Sequence, residues 1–162
     1  MADVFGAAGS KLYISTAAVD STVDTFAEFA ASTITYVLVS LVENMGEFGD
    51  QSNPINFAAL EDSRVRKTKG ARDAGIMNVV VGHDPQDTGQ LQMETAEGTN
   101  QNFAFKVDLP DAANASFTDT LIYFRGLVMG KRFNVGTVDQ VIRKTYQVAV
   151  NSRLYTAADP GP

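Results

Sequence analysis

Two stretches of this chain, Ile34 to Asn44 (ITYVLVSLVEN) and Thr120 to Met129 (TLIYFRGLVM), have the alternation of strands yet are apolar on both faces. In the first, Ile34, Tyr36 and Leu38 share one parity while Thr35, Val37 and Val39 share the other. A sheet built from such strands must be covered on both sides, by another layer or by neighbouring subunits, and its edges must be paired or protected. That requirement limits the chain to a layered β architecture, alone or in an assembly. Arg125 interrupts the second stretch, either as a buried paired charge or, at lower cost, at a strand edge or subunit boundary.

Other segments read the same way. Lys11 to Ser15, Ile55 to Leu60 and Ile76 to Val81 are short strands. Phe103, Phe105, Val107 and Leu109 fall on one face of a strand whose other face carries Ala104, Lys106 and Asp108, and Pro110 ends it. Thr137 to Asn151 predicts a long strand with Ile142, Tyr146, Val148 and Val150 on one side and Asp139, Arg143, Thr145 and Gln147 on the other. The fold class expected is mainly β, an antiparallel sandwich or barrel with a flanking helix.

That helix is predicted within His83 to Ala96, where Asp84 is placed to cap it, Pro85 fits the first turn and Asp87 sits three residues after the cap. Leu91, Met93 and Ala96 give it an apolar stripe, leaving Gln86, Gln90, Gln92, Glu94 and Glu97 for solvent or a partner. Gly89 marks either fraying or a close-packed neighbour. A short helix is also expected within Ser21 to Ala31, from the spacing of Val23, Phe26, Phe29 and Ala30.

At 162 residues the chain suits one domain over 1–162, with loose arms over about 1–10 and 152–162. No apolar run reaches membrane-spanning length. The start MADVFGAAG lacks the pattern of a secretory signal, so synthesis in the cytoplasm is expected. A net charge of -6 argues against a protein that grips nucleic acid over its whole surface. Without cysteine there is neither thiolate chemistry nor a cysteine-ligated zinc.

Two polar stretches stand out. Gly46, Glu47, Phe48, Gly49, Asp50, Gln51, Ser52 and Asn53, followed by Pro54, form a turn-rich segment that reads as the tip of a long hairpin spanning about 44–55. Phe48 within it is either tucked over the core or offered to a partner. Arg64, Arg66, Lys67, Lys69 and Arg72 form a basic run, but no aromatic rings interleave and Glu61, Asp62 and Asp73 offset it. A solvated strand, or a surface complementary to an acidic neighbour, fits better than a nucleic-acid site.

Catalysis finds little support. His83 is the one histidine, and Asp84 and Asp87 beside it already have a capping role, so neither a metal nor a cofactor is expected. No nucleophile elbow, phosphate loop or dinucleotide fingerprint occurs, and no enzyme activity is expected.

Collinear with these features run LYI near the start, VENMGEFGDQSNPI at 42–55, VRKTKG with DAG through Gly75, DPQDTGQLQ at 84–92, FKVDLPD at 105–111 and YFRGLV at 123–128. Together they resemble the major tail tube proteins of long-tailed, non-contractile bacteriophages and related prophage and gene-transfer-agent tubes. The resemblance implies a tail tube fold whose subunits form hexameric rings stacked into a tube. It makes Gly46 to Asn53 an inter-ring loop, moves Phe48 toward a contact between rings, and gives the terminal arms a role on assembly.

It further implies a virion tail made in a bacterial host, a tape-measure protein in the lumen, and tail-tip and terminator proteins at the ends. DNA would pass without sequence-specific binding, repelled by an acidic lumen for which Asp108 and Asp139 are candidates. The inner tube of a contractile injection or type VI secretion machine is the alternative within the same fold. A carbohydrate-binding β-domain is the alternative outside it.

Overall fold

Alternating apolar side chains make strands the dominant regular structure of the chain. The computed structural model describes residues 3–157. In order they form β1 (Lys11–Ala18), α1 (Phe26–Phe29), β2 (Tyr36–Val39), β3 (Val42–Asn44), β4 (Gln51–Phe57), β5 (Arg66–Asp73) and β6 (Ile76–Gly82), then α2 (Thr88–Glu97), β7 (Phe103–Leu109), β8 (Thr120–Asn134), β9 (Arg143–Val150) and β10 (Tyr155–Ala157). The fold is mainly β, with an antiparallel sheet in the order β2-β1-β7-β8-β9-β6-β3, β10 added beside β8, and a separate β4–β5 pair.

The long strand β8 turns this sheet into two layers. Its first half pairs with β7, from Leu109↔Thr120 to Phe103↔Gly126, and its second half pairs with β9, from Gly126↔Val150 to Asn134↔Arg143. Gly126 stands at the changeover, where an added Cβ would lie 2.8 Å from Val148 Cγ1 and 3.2 Å from the Ala149 carbonyl oxygen. A side chain there would separate the layers.

Between the layers lies the main core. Leu12, Ile14, Phe103, Phe105, Val107 and Phe124 face Met77, Val79, Val81, Tyr146 and Val148 across it, and the Phe105 and Phe124 rings stack at 5.2 Å. Helix α2 adds Met93 and Ala96. On the outer side of the first layer, α1 lays Phe26 and Phe29 against Tyr123, and Phe29 also meets Tyr155 at 5.1 Å. Thus Phe124 and Tyr123, neighbours in sequence, anchor two different cores, which is why this strand reads as apolar on both faces.

Three strand expectations need correction. Ile34 to Asn44 is not one strand: the chain breaks at Ser40 and Leu41, where Leu41 takes φ 59°, so β2 joins the first layer and β3 the second. The apolar run belongs to a strand crossing between layers. Thr137 to Asn151 becomes strand only from Arg143, and Asp139 lies in the turn before it. Ile55 to Leu60 does not return along the 34–44 strand; β4 begins at Gln51 and pairs with β5 instead.

Candidate assembly surfaces

Helix α2 closes the gap between the layers through polar contacts. Its N-cap is Asp87, whose Oδ2 accepts from the Gln90 amide at 2.9 Å and from the Ser40 amide at 3.2 Å. The expected cap Asp84 lies a turn earlier, accepting from the Gln86 amide at 2.9 Å. The segment Asp84–Pro85–Gln86 forms a turn before the helix, so capping falls to the next acid.

Of the polar residues expected to face solvent or a partner, Gln86 is exposed, but Gln90, Gln92 and Glu94 bond within the chain. Gln90 is fully buried; its Nε2 donates to the carbonyls of Gly82 at 2.8 Å and Ser40 at 3.3 Å, while its Oε1 accepts from the Asp84 amide at 3.2 Å. Gln92 donates to the carbonyls of Ser15 and Thr16. Glu94 accepts from buried Lys144 at 2.8 Å, whereas Leu91, expected in the apolar stripe, is exposed. The Lys144 hydrogen bond holds the Glu94 carboxyl below its usual range, with Lys131 and His83 adding to the attraction. This motif joins strands that are far apart in sequence.

Elsewhere, Arg125 makes no ion pair among the described residues. Its Nη1 donates to the carbonyls of Val23 at 2.9 Å and Asp20 at 3.2 Å, fastening the segment that leads into α1. His83 sets its ring edge against Phe133 with centroids 5.6 Å apart, and its Nδ1 is buried with no hydrogen-bond partner. Among the described residues no group of three or more His, Cys, Asp or Glu side chains is placed to hold a metal.

The expected hairpin tip is a root. Met45 and Phe48 pack on the main core, with the Phe48 ring 5.7 Å from Phe124, so Phe48 is tucked. What projects is the β4–β5 ribbon, which pairs from Gln51↔Asp73 outward to Phe57↔Arg66 and turns over residues 58–65. Thus Gln51, Ser52 and Asn53 begin one ribbon strand, and Gly46 to Asp50 run back along the body. Of the basic run, Arg66, Lys67, Lys69 and Arg72 lie on β5 and Arg64 lies in the tip. Arg66 pairs with Asp62 at 3.2 Å.

Asp108 lies on the outer side of the first layer with its Oδ1 buried and unpaired, beside Tyr123, whose hydroxyl pKa is raised by burial and then by that carboxylate. Asp139 is exposed. The structure does not bring these two acids together on one strand face. The large uncovered face is instead the outer side of the second layer, β3-β6-β9 with the second half of β8. It carries Asn78 beside Gln147, Arg132 beside Thr145, and Arg143 paired with Glu43. Arg143, Thr145 and Gln147 were legible by parity; Arg132 was not, because the strand expected to end at Met129 continues to Asn134 past a register shift between Val128 and Gly130.

This layer also has open edges. Among the described residues, the second half of β8 pairs with β9 on one side only, and β3 pairs only with β6. Unpaired edges of this kind invite another strand.

Comparison with known proteins fits this architecture. The family described as phage tail tube protein, TTP, matches residues 8–159. The solved SPP1 tail tube, a hybrid of solid-state NMR and cryo-electron microscopy, is similar with a TM-score of 0.56 at 13% identity, covering 94% of this chain and 77% of that one. A chain of the six-fold symmetrised anti-feeding prophage (AFP) baseplate is similar with a TM-score of 0.66 at 9% identity, covering 96% of this chain and 97% of that one. At such identities the likeness concerns the fold. No curated protein matches the chain. By the family match over nearly its whole length, this chain belongs to the phage tail tube proteins.

Proposed function

We propose that the chain is the structural subunit of a tube made of stacked hexameric rings, with the uncovered face of the second layer lining the channel. The observation that carries this reading is the four-stranded layer itself, bare on one face and open at both edges. Edge-to-edge pairing of copies around a closed ring would satisfy the free backbone groups. The bare face would then enclose a common lumen. Such a subunit is a structural protein without catalysis or cofactor, and it occupies a virion tail or an equivalent injection tube.

Its proposed neighbours are further copies, a tape-measure protein inside, and tip and terminator proteins at the ends. The phage reading has DNA passing through, without sequence-specific contacts and without any membrane contact by this subunit. A lining that repels phosphate would need excess acid, yet this face carries the two cations Arg132 and Arg143 against the carboxylate of Glu43. It also carries the amides and hydroxyl of Asn78, Asn134, Gln147 and Thr145.

That near-neutral lining favours a second reading, the inner tube of a contractile injection system, whose cargo need not be a polyanion. Asp108 and Asp139 have no place on the proposed lining. Negative-stain imaging of the purified protein over rising concentration tests the assembly, with rings or tubes around a central channel expected. A folded chain that stays monomeric even when a tail-tip complex is supplied as nucleus overturns it. Between the two cargo readings, a sheath gene beside this one would select the injection system.

A further inference from the structure

The chain between β1 and β2 forms no strand. It crosses the outer side of the first layer as a strap, residues 19–35, whose only helix is the single turn α1 and whose only fully buried side chain is Phe29. Side chains of the layer below fasten it: the Arg125 guanidinium bonds to the carbonyls of Asp20 and Val23, and the Tyr36 hydroxyl donates to the Phe29 carbonyl at 2.9 Å. At the start of the strap, the Val19 amide donates to the Asn102 carbonyl at 2.8 Å.

Strand β10 is equally slight. Its three residues pair with β8 as Tyr155↔Tyr123, Thr156↔Ile122 and Ala157↔Leu121, and those same β8 residues pair on their other side with Lys106, Val107 and Asp108 of β7. β10 therefore covers a stretch of the β8 edge that would otherwise lie open, and its shortness leaves little edge of its own. The strap holds it there. The Tyr155 hydroxyl donates to the Asp24 carboxylate, and the Phe29 ring lies 5.1 Å from Tyr155 and 6.1 Å from Tyr123. That hydroxyl–carboxylate bond is the one polar link between strap and β10 among the described residues.

We infer that the strap and β10 form one cover, joined at Tyr155, which opens as a unit and, when closed, denies the β8 edge from Leu121 to Tyr123 to any further strand. The apolar cluster beneath it, Phe29, Ala104, Tyr123 and Tyr155, shares no residue with the main core, so the cover can lift while the two layers stay together. Closed, it confines strand addition to the open edges of the second layer, the ones on which the tube reading depends. Open, it offers β8 backbone flanked by Leu121 and the Tyr123 ring to an extended segment of another chain.

Amide hydrogen exchange reads the coupling. Asp24→Ala removes the bond to Tyr155, so exchange should rise at least threefold in residues 19–30 and also in 155–157, while β6 and β9 keep their protection. A rise confined to the strap overturns the shared cover. In the other direction, Leu121→Cys with Ala157→Cys supplies the only two thiols of the chain, on directly opposed residues. Such residues have Cα atoms about 5 Å apart, within disulfide reach. Joining them should slow exchange in 19–30 at least threefold against the reduced form of the same chain. Thiols that do not join, or a strap indifferent to the staple, overturn the inference as well.

Phe29→Ala tests the guard. With that ring gone from between Tyr123 and Tyr155, the cover should open, and the subunit should gather into sheet-type aggregates that bind thioflavin at least tenfold faster than wild type, with β6 and β9 still protected from exchange. The oxidised staple in the same chain should suppress them. No aggregation once residues 19–30 exchange freely, or aggregation that the staple leaves untouched, removes the guard. The stapled chain should still form tubes as the wild type does; tubes lost only on stapling would mean that assembly needs the covered edge, and would overturn the inference. A chain that forms no tubes in either state yet keeps the coupling would sink the tube reading alone.

Discussion

A Cβ on Gly89 would lie 2.0 Å from the carbonyl oxygen of Leu38 and 2.5 Å from the Cα of Val39. The helix therefore rests on the backbone of β2 at this point, with no side chain between them. In an exposed helix, replacing Gly by Ala gains about 1 kcal/mol of propensity. Here overpacking costs about 1–3 kcal/mol or more and outweighs it. Gly89→Ala should lower the urea midpoint; a variant more stable than the wild type would mean that the close approach is not held.

The cap yields a paired comparison. Asp87→Ala removes the acceptor of both the Gln90 and Ser40 amides and should cost about 1–2 kcal/mol. Asp84→Ala loses only a local turn bond and should cost about 0.5 kcal/mol. Denaturant melts of the two variants decide it, and a larger effect at Asp84 would return the helix start to that residue.

Arg125 supplies a local test. Its guanidinium bonds to the carbonyls of Val23 and Asp20 hold the chain entering α1 against the first layer. Arg125→Met should keep the stem packing but release that segment, raising hydrogen exchange over residues 19–30 while the amides of β9 stay protected. Equal loss of protection in both regions would show that Arg125 supports the whole core.

These residues also mark where sequence legibility ends. Phe103–Leu109 could be read residue by residue because its two faces differ in polarity and the strand never leaves its layer. Ile34 to Asn44 misled because a strand that changes layers is apolar on both sides, and the break at Leu41 carries no glycine or proline to announce it. Gly, Asp and Pro in Gly46 to Pro54 signal bending, but bending does not say whether a chain projects. The projecting tip, from Ala58 to Val65, contains neither Gly nor Pro. Buried Gln90 was unreadable for another reason, since its bond to Ser40 spans fifty residues of sequence and both neighbouring carbonyls belong to strand ends.

The last prediction concerns acid. Lys144 is only 1% exposed and its ammonium meets Glu94 at 2.8 Å, with Lys131 at 3.8 Å from the same oxygen. A carboxyl whose folded pKa is depressed, as that of Glu94 is chiefly by the Lys144 hydrogen bond, stabilises the fold at pH above its ordinary value of 4.5. That contribution is lost as pH falls through the folded value. Glu94→Gln leaves a buried ammonium without its counter-charge, so at neutral pH it should cost about 3 kcal/mol. Lys144→Met removes the charge together with its need for a partner and should change stability by about 1 kcal/mol or less. Urea melts from about pH 7 to about pH 3 should show the gap between wild type and Glu94→Gln narrowing only below the ordinary carboxylate range. A gap that stays constant across this span, or a Lys144→Met variant as unstable as Glu94→Gln, would mean that the pair contributes through packing and not through charge.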